Sequence, residues 1–314
     1  MNGLTLSAAY FEEFGRPMLE QNFPDLLPHL AAGLCGSGSE CFGFDDEVSR
    51  DHDFEPGFLI FLPGEETVSR HEAFLLERAY AKLPKEFMGI RRNALSPVGG
   101  ARHGVVRLSD FFEEKTGRAD GSPEGSEWFL IPEQSLAEAV NGRVYFDNEG
   151  TLTRFRERLA FYPEDIFRKK LAGELLLMAQ AGQYNFLRCL KHGETAAAQL
   201  AVNEFVLHTI SAIFLLNRSY RPYYKWCFRA LRALPLLSLE AELLEYLLTG
   251  GNDPENAEEK YRVIEGIAAD LIDVLIERGL TRANCGDLEK HAYSVNDSIE
   301  DGALRNLHIL AGVH

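Results

Sequence analysis

Two aspartates with a single residue between them, Asp51 and Asp53, stand just ahead of the apolar run 58–62. Side chains alternate along a β-strand, so both carboxylates would lie on the same face of a strand that begins here. Two neighbouring carboxylates repel each other, and a divalent cation relieves that repulsion. Mg²⁺ in proteins is commonly held by one or two carboxylates together with substrate phosphates. The spacing therefore predicts a Mg²⁺ or Mn²⁺ site at Asp51 and Asp53.

A glycine-serine segment, Gly36-Ser37-Gly38-Ser39, precedes the acid pair and follows the apolar run 30–35. We predict a strand, a turn, a short helix, a loop and a second strand over residues 30–62. Backbone N–H groups and a hydroxyl beside a helix N-terminus suit phosphate. A phosphate-binding turn and a metal-binding pair on neighbouring strands together predict a site for a nucleoside triphosphate.

The order Gly38-Ser39, Gly43, Ser49 and Asp51-x-Asp53 resembles the signature of the DNA polymerase β-like nucleotidyltransferase superfamily. The longer sequence of this segment is similar to sequences from a bacterial branch of that superfamily. The resemblance implies an α+β fold, in which a mixed-sheet nucleotidyltransferase domain (residues 1–150) is followed by an all-helical bundle domain (residues 151–314). It also implies transfer of a nucleoside monophosphate to a hydroxyl of a small molecule or a protein.

The same resemblance implies roles for individual residues. Asp51 and Asp53 would be catalytic and hold Mg²⁺ or Mn²⁺, while Gly38 and Ser39 would bind the β- and γ-phosphates of the nucleoside triphosphate. A third carboxylate is expected on the third strand, which we predict over 104–109, but Arg107 stands there instead. The nearest acid, Asp110, is predicted to cap the next helix. The base is left open among four other acids: Glu40, Asp45, Asp46 and Glu47.

Two alternatives stay open at this point. The acid pair is also compatible with an acidic loop that makes an Asx turn beside a strand. The missing third carboxylate is compatible with a nucleotide-binding regulatory protein that has lost catalysis.

The second half of the sequence is dominated by helical periodicity, with few glycines and prolines from Thr151 onward. It resembles the helical domain that follows the catalytic domain in antibiotic nucleotidyltransferases. The segment 217–226 holds three tyrosines, a tryptophan and three cations. The resemblance implies that Lys225 in this segment binds the triphosphate. The alternative that stays open is that these side chains pack helices together. We predict helices over 152–161, 163–180, 184–191, 194–216, 222–233, 238–249, 254–277 and 297–311.

Local signals predict where elements begin and end in the first half. Ser69 with Glu72 is typical of a capping box, Asn141-Gly142 of a helix C-terminus, and Asp147 of a cap or turn. The segment Gly15-Arg16-Pro17 is predicted to interrupt an N-terminal helix.

Composition limits the function classes. A net charge of −16 argues against broad nucleic-acid binding, which depends on neutralising phosphates, but would help attract a cationic acceptor. The five cysteines form no CxxC pair, so neither a zinc site nor a disulfide framework is indicated, and Cys35 is predicted to be a small core residue. The absence of an 18-residue apolar run and of a secretory signal favours a cytoplasmic protein without a membrane segment.

Overall fold

The structure is a computed structural model that describes residues 2–47, 54–92 and 103–313. Two compact units make up the chain: one combines Met1–Pro123 with Ile131–Ala160, and the other combines Glu124–Leu130 with Phe161–His314. The first unit carries a mixed sheet with helices and the second is built of helices, which confirms the predicted α+β fold class.

The strands of the first unit are short. The described strands are β1 Ala31–Leu34, β2 Leu59–Leu62, β3 Glu86–Phe87, β4 Ile90–Arg91, β5 Gly104–Arg107 and β6 Arg143–Asp147. Four of them form one sheet in the order β5-β2-β1-β6, in which β1 is antiparallel to β2 and β6, while β5 is parallel to β2. Strands β3 and β4 form a separate antiparallel hairpin.

Both faces of the central strands are covered, which explains why β1 and β2 are continuous apolar runs rather than alternating ones. Phe58 and Ile60 belong to the core on the side of the N-terminal helices, where the Phe58 ring lies 5.1 Å from that of Phe11. Phe61 points to the opposite side, with its ring 5.3 Å from that of Phe111. β1 and the apolar run 58–62 thus lie where strands are predicted. The prediction of one strand continuous from Asp51 to Leu62 is wrong, because residues 54–58 are not strand and β2 begins at Leu59.

The helices of the first unit begin and end largely where local signals indicate. Ser69 and Glu72 form the predicted capping box: the Glu72 N–H donates to Ser69 Oγ, and the Ser69 N–H donates to Glu72 Oε2. Asp147 is predicted to cap or turn: its carbonyl accepts from the Gly150 N–H in a turn, and its carboxylate accepts from the Thr153 N–H in the first turn of the next helix, whose N-cap is Gly150. The helices are α1 Gly3–Tyr10, α2 Arg16–Asn22, α3 Arg70–Ala81, α4 Leu108–Thr116, α5 Glu133–Val140 and α6 Thr151–Arg158, with a 3₁₀ turn at Leu27–His29.

The predicted break at Gly15-Arg16-Pro17 is instead a π-helical turn, Phe11–Gly15, that joins α1 to α2 without interruption. Pro17 is the second residue of α2, directly after the π-helical turn. A Cβ at Gly15 would lie 2.5 Å from the Phe58 ring, so the glycine lets the helix pack closely on the sheet.

The second unit contains a 3₁₀ turn at Gly125–Phe129 and a set of packed helices. Helix Thr195–Leu216 is long and apolar enough to cross a membrane, yet 72% of its most apolar window is buried inside the protein. The helices are α7 Glu164–Met178, α8 Phe186–Lys191, α9 Thr195–Leu216, α10 Tyr224–Leu231, α11 Glu240–Thr249, α12 Pro254–Glu277, α13 Leu288–Asp297 and α14 Gly302–Asn306, with a π-helical turn at Ala179–Asn185.

The C-terminal helix predicted over 297–311 is wrong. Helix α13 ends at Asp297, and the short helix α14 begins after Asp301, whose carboxylate accepts from the Ala303 and Leu304 N–H groups. This side-chain cap starts a new helix and prevents a continuous one.

Candidate functional site

The glycine-serine segment forms a tight turn directly after β1. The Phe42 N–H donates to the Ser39 carbonyl over 3.2 Å, and the Gly43 N–H donates to the Glu40 carbonyl over 3.1 Å. Each bond spans three residues, so the segment is a series of turns, and the short helix predicted here does not form. Phosphate binding at this position would therefore depend on turn N–H groups rather than on a helix N-terminus.

Two observations favour glycine at position 38. Its φ of +118° lies in a region that residues with a Cβ rarely adopt. A Cβ there would also lie 2.4 Å from Glu40 Oε1. Gly36 has a similar φ of +112°.

The turn leaves several donors unused. Among residues 2–47, 54–92 and 103–313, the backbone N–H groups of Ser37, Gly38 and Ser39 and the Ser39 hydroxyl have no hydrogen-bond partner. These three residues are half-buried. Three consecutive N–H groups without a protein partner on a turn offer a place for water or an anion.

Asn141 holds the start of this turn. Its Oδ1 accepts from the Gly36 N–H over 2.9 Å, and its Nδ2 donates to the Gly36 carbonyl over 2.8 Å. Arg156 Nη2 in turn donates to the carbonyls of Val140 and Asn141, at 2.6 and 2.7 Å. The sequence predicts Asn141 only as part of a helix end, because no local pattern reveals a contact between residues 105 positions apart.

Cys35 lies between β1 and the turn and is buried. Burial raises the pKa of its thiol to about 11, and the nearby Arg156 and Lys115 offset that rise only in part. The thiolate is therefore scarce at neutral pH, so Cys35 is a core residue, as predicted, and not a nucleophile.

The predicted metal ligands Asp51 and Asp53 lie outside the described residues, as does Ser49. The chain that follows them is held tightly. Ser7 Oγ donates to the Gly57 carbonyl at 2.5 Å, and Arg92 Nε donates to the Pro56 carbonyl at 3.2 Å. His103 Nδ1 lies 3.1 Å from Glu55 Oε1. Residues 55–57, which lead into β2, are thus each contacted by a side chain from another part of the first unit.

Arg92 is the centre of a polar network beneath this segment. Its guanidinium lies over the Tyr10 and Tyr80 rings, 5.4 and 5.0 Å from their centroids, and Nη2 donates to the Tyr10 hydroxyl at 2.8 Å. The Tyr80 hydroxyl donates to the Phe58 carbonyl and accepts from the Phe58 N–H. Burial raises the pKa of both tyrosines, so they remain neutral hydrogen-bonding groups.

Arg107, which stands where a third carboxylate was expected, has a structural role. Its Nη1 donates to the Pro63 carbonyl at 2.6 Å and its Nη2 to the Val68 carbonyl at 2.9 Å. It therefore fixes the connection between β2 and α3. Asp110 is exposed in the first turn of α4, whose N-cap is Arg107, so the predicted N-cap at Asp110 is wrong.

The four acids left open as a base differ in position. Glu40 is 4% exposed, and its carboxylate lies against Gly38. The Asp45 Oδ2 accepts from the Gly3 N–H at 2.8 Å, which fixes this side chain to the start of α1. Asp46 and Glu47 are exposed. Of these four acids, Glu40 has its carboxylate next to the Gly38-Ser39 turn.

Comparisons with known proteins give two similarities. A family model described as a domain of unknown function (DUF4037) matches residues 128–227. The chain is also similar to a nucleotidyltransferase-like protein from Exiguobacterium sibiricum 255-15, known from a crystal structure. The identity is 12% and the TM-score 0.36, over 91% of this chain and 80% of that one. No curated protein matches the sequence.

Lys225 lies near the end of the stretch that the family model matches. It is exposed at the start of α10, and its Nζ lies 5.1 Å from the centroid of the Trp226 ring. The rings of Tyr223 and Tyr224 lie 4.2 Å apart on the same turn. Lys225 belongs to the second unit and the Gly38-Ser39 turn to the first, and its role as a phosphate ligand stays a prediction.

No group of three or more His, Cys, Asp or Glu side chains is placed to hold a metal ion within the described ranges. The second unit has a surface hollow of about 590 Å³ beside its π-helical turn, lined in part by Gln183, Tyr184, Tyr261 and Glu265. Gln183 Nε2 donates to Glu265 Oε2 at 3.0 Å, which ties the π-helical turn to α12. The hollow contains none of the residues predicted to bind nucleotide or metal.

Proposed function

We propose that the protein is a Mg²⁺-dependent nucleotidyltransferase that moves a nucleoside monophosphate from a nucleoside triphosphate to a hydroxyl of a small molecule or a protein. The observation that carries this proposal is the row of donors without a partner at Ser37, Gly38 and Ser39, on a turn that eleven residues separate from Asp51-x-Asp53 in the sequence. Unpaired turn amides suit phosphate, and paired acids suit a divalent cation.

Gly38 and Ser39 would bind the β- and γ-phosphates through their N–H groups and the Ser39 hydroxyl. Asp51 and Asp53 would hold Mg²⁺ or Mn²⁺, which would neutralise charge on the phosphates in the in-line transition state. Lys225 is proposed as a further phosphate ligand, because a lysine ammonium suits phosphate as a point charge.

The transfer step begins with attack of the acceptor hydroxyl oxygen on the α-phosphorus. The new bond forms as the bond from the α-phosphorus to the bridging oxygen breaks, and pyrophosphate leaves with the electron pair. The hydroxyl proton passes to a base. Glu40, Asp45, Asp46 and Glu47 are the candidates for this base, and of these Glu40 has its carboxylate against the Gly38-Ser39 turn.

The net charge of the protein bears on the charge of the acceptor that we propose. The charge of −16 would favour a cationic acceptor and disfavour polyanions such as nucleic acids. Free cysteines and the buried position of the apolar helix α9 support a cytoplasmic location in the same proposal.

Labelled nucleoside triphosphates test the reaction. The protein is incubated with α-³²P-labelled ATP, GTP, CTP or UTP and Mg²⁺, against panels of metabolites and proteins. We expect pyrophosphate release and label transfer with at least one nucleotide. The double substitution Asp51→Asn and Asp53→Asn should abolish both, whereas Asp25→Asn, at an exposed position of the same unit, should change neither.

A nucleotide-binding regulatory protein without catalysis is the second candidate. Arg107 on the third strand favours this candidate, because its guanidinium binds the Pro63 and Val68 carbonyls and no carboxylate stands at that position. Binding of a nucleoside triphosphate without transfer or pyrophosphate release, for all four bases, would support this candidate and contradict the enzyme.

A further inference from the structure

We propose that Asn141 and Arg156 are positioning residues that hold the Gly36–Ser39 turn in the conformation that binds phosphate. This role rests on the proposed function and adds two residues to it. Asn141 contacts the backbone of the turn and Arg156 contacts the backbone around Asn141, so both residues act through the position of the turn.

Asn141 binds both backbone groups of Gly36. Its amide accepts from the Gly36 N–H and donates to the Gly36 carbonyl, so this peptide segment has one orientation relative to the end of α5. The next three N–H groups, of Ser37, Gly38 and Ser39, are the ones without a partner in the described part of the chain. The bidentate contact therefore ends where the row of free donors begins.

Arg156 fixes the position of Asn141. It donates from α6 to the carbonyls of Val140 and Asn141, at the C-terminal end of α5 where helix carbonyls lack helical partners. A cation at a helix C-terminus is also favoured by the helix dipole. These two bonds tie the end of α5 to α6 at the point from which Asn141 reaches the turn.

Close backbone packing leaves Asn141 little room to move. A Cβ at Gly142 would lie only 1.9 Å from the Leu34 carbonyl oxygen, so the chain after α5 runs directly against the end of β1. Gly142 also has a φ of +71°. A shift of Asn141 would therefore displace β1, and the turn would move with it.

An aspartate at position 141 gives a reversible test. In the Asn141→Asp variant, the ionised carboxylate accepts from the Gly36 N–H but repels the Gly36 carbonyl. When protonated, the same side chain accepts and donates as asparagine does. Affinity for Mg²⁺-ATP, measured by titration calorimetry beside the wild type at each pH, should be about 10- to 100-fold weaker at pH 8. The deficit should shrink once the pH falls below the pKa of the introduced carboxyl group, which the Gly36 carbonyl raises and the Arg156 guanidinium, bonded to the carbonyl of residue 141, lowers.

Controls separate positioning from general destabilisation. Asn148→Asp changes another asparagine of the same unit, whose Nδ2 donates to the Leu27 carbonyl, and should leave Mg²⁺-ATP affinity unchanged at both pH values. Arg156→Met should weaken binding about tenfold, and Arg156→Lys should restore part of it because its ammonium can still donate to both carbonyls. Thermal unfolding of each variant confirms that the measured protein is folded.

The outcomes are distinguishable. If the wild type binds Mg²⁺-ATP and Asn141→Asp binds it within twofold at pH 8, the positioning role is overturned while the proposed function stands. An Arg156→Met variant that binds Mg²⁺-ATP as tightly as the wild type also overturns it, since Asn141 would then be held without Arg156. If the wild type binds none of the four nucleotides, the proposed function itself fails and the positioning role fails with it.

Discussion

At the residue scale, the candidate site depends on a few positions with unusual backbone requirements. The sequence identifies Gly38 and Ser39 because their spacing from the acid pair is a local pattern. It does not identify Asn141, Arg92 or Arg156, because their partners are distant in the chain. Long-range side-chain contacts to backbone groups leave no periodic signal, so residues of this kind emerge only from the structure.

The Gly38→Ala substitution should reduce both stability and nucleotide binding. Alanine is strained at a φ of +118° and its Cβ would press on the Glu40 carboxylate, at a cost on the order of 1–3 kcal/mol. Chemical denaturation and Mg²⁺-ATP titration measure the two effects. Gly117→Ala, at a left-handed position after α4 with open space around it, should lower stability but leave nucleotide binding intact. Equal nucleotide affinity in both variants would contradict a role for Gly38.

At the element scale, the strands and most helices follow from local patterns, because apolar runs and capping residues act over short distances. The incorrect helix predictions also have local causes. The helix expected after the glycine-serine turn is a set of turns, and the helix expected over 297–311 is limited to α14, which begins after the cap at Asp301. In each case short-range hydrogen bonds compete with helix formation and prevail.

The Arg92 network should stabilise the entry into β2. Arg92→Met removes two hydrogen bonds and the contact with two tyrosine rings, so the free energy of unfolding should fall by about 1–3 kcal/mol in urea denaturation. The neighbouring Arg91 has a side chain that is 84% exposed and pairs with Glu86 on the surface, so Arg91→Met should cost less than about 1 kcal/mol. Equal losses would show that the network contributes nothing beyond surface pairing.

The packing of α11 against α12 should make stability depend on pH. Burial, together with the neighbouring Asp270, raises the pKa of Glu240 to about 7, above its ordinary value of 4.5. A raised pKa means that the folded state favours the proton, so this contribution is complete below pH 4.5 and is lost as the pH rises through about 7.

Glu240→Gln should remove this dependence. Glutamine resembles the protonated acid, so the variant should match the wild type near pH 4.5 and be more stable near pH 8, by on the order of 1 kcal/mol or more. Thermal unfolding across this pH range gives the comparison. Glu242→Gln, at an exposed position of the same helix, is the control and should not change the pH profile. A constant difference between Glu240→Gln and the wild type at all pH values would contradict the assignment.

At the scale of the whole molecule, sequence periodicity predicts a sheet-bearing first half and a helical second half, and both are present. The compact units differ from a simple division of the chain, since Glu124–Leu130 groups with the second unit and Thr151–Arg158 with the first. Sequence patterns describe consecutive segments, whereas compact units depend on which segments pack together. Composition therefore shows where the helical half of the sequence begins, but it does not show that Glu124–Leu130 packs with that half.

The proposed nucleotide site combines the glycine-serine turn with the acid pair. A crystal structure with Mn²⁺ and a non-hydrolysable ATP analogue tests this combination most directly, because anomalous scattering locates the metal independently of the protein. We expect Mn²⁺ bound by Asp51 and Asp53, with phosphate oxygens at the N–H groups of Ser37, Gly38 and Ser39. A nucleotide bound elsewhere, or a metal without either aspartate as ligand, would contradict the proposed site.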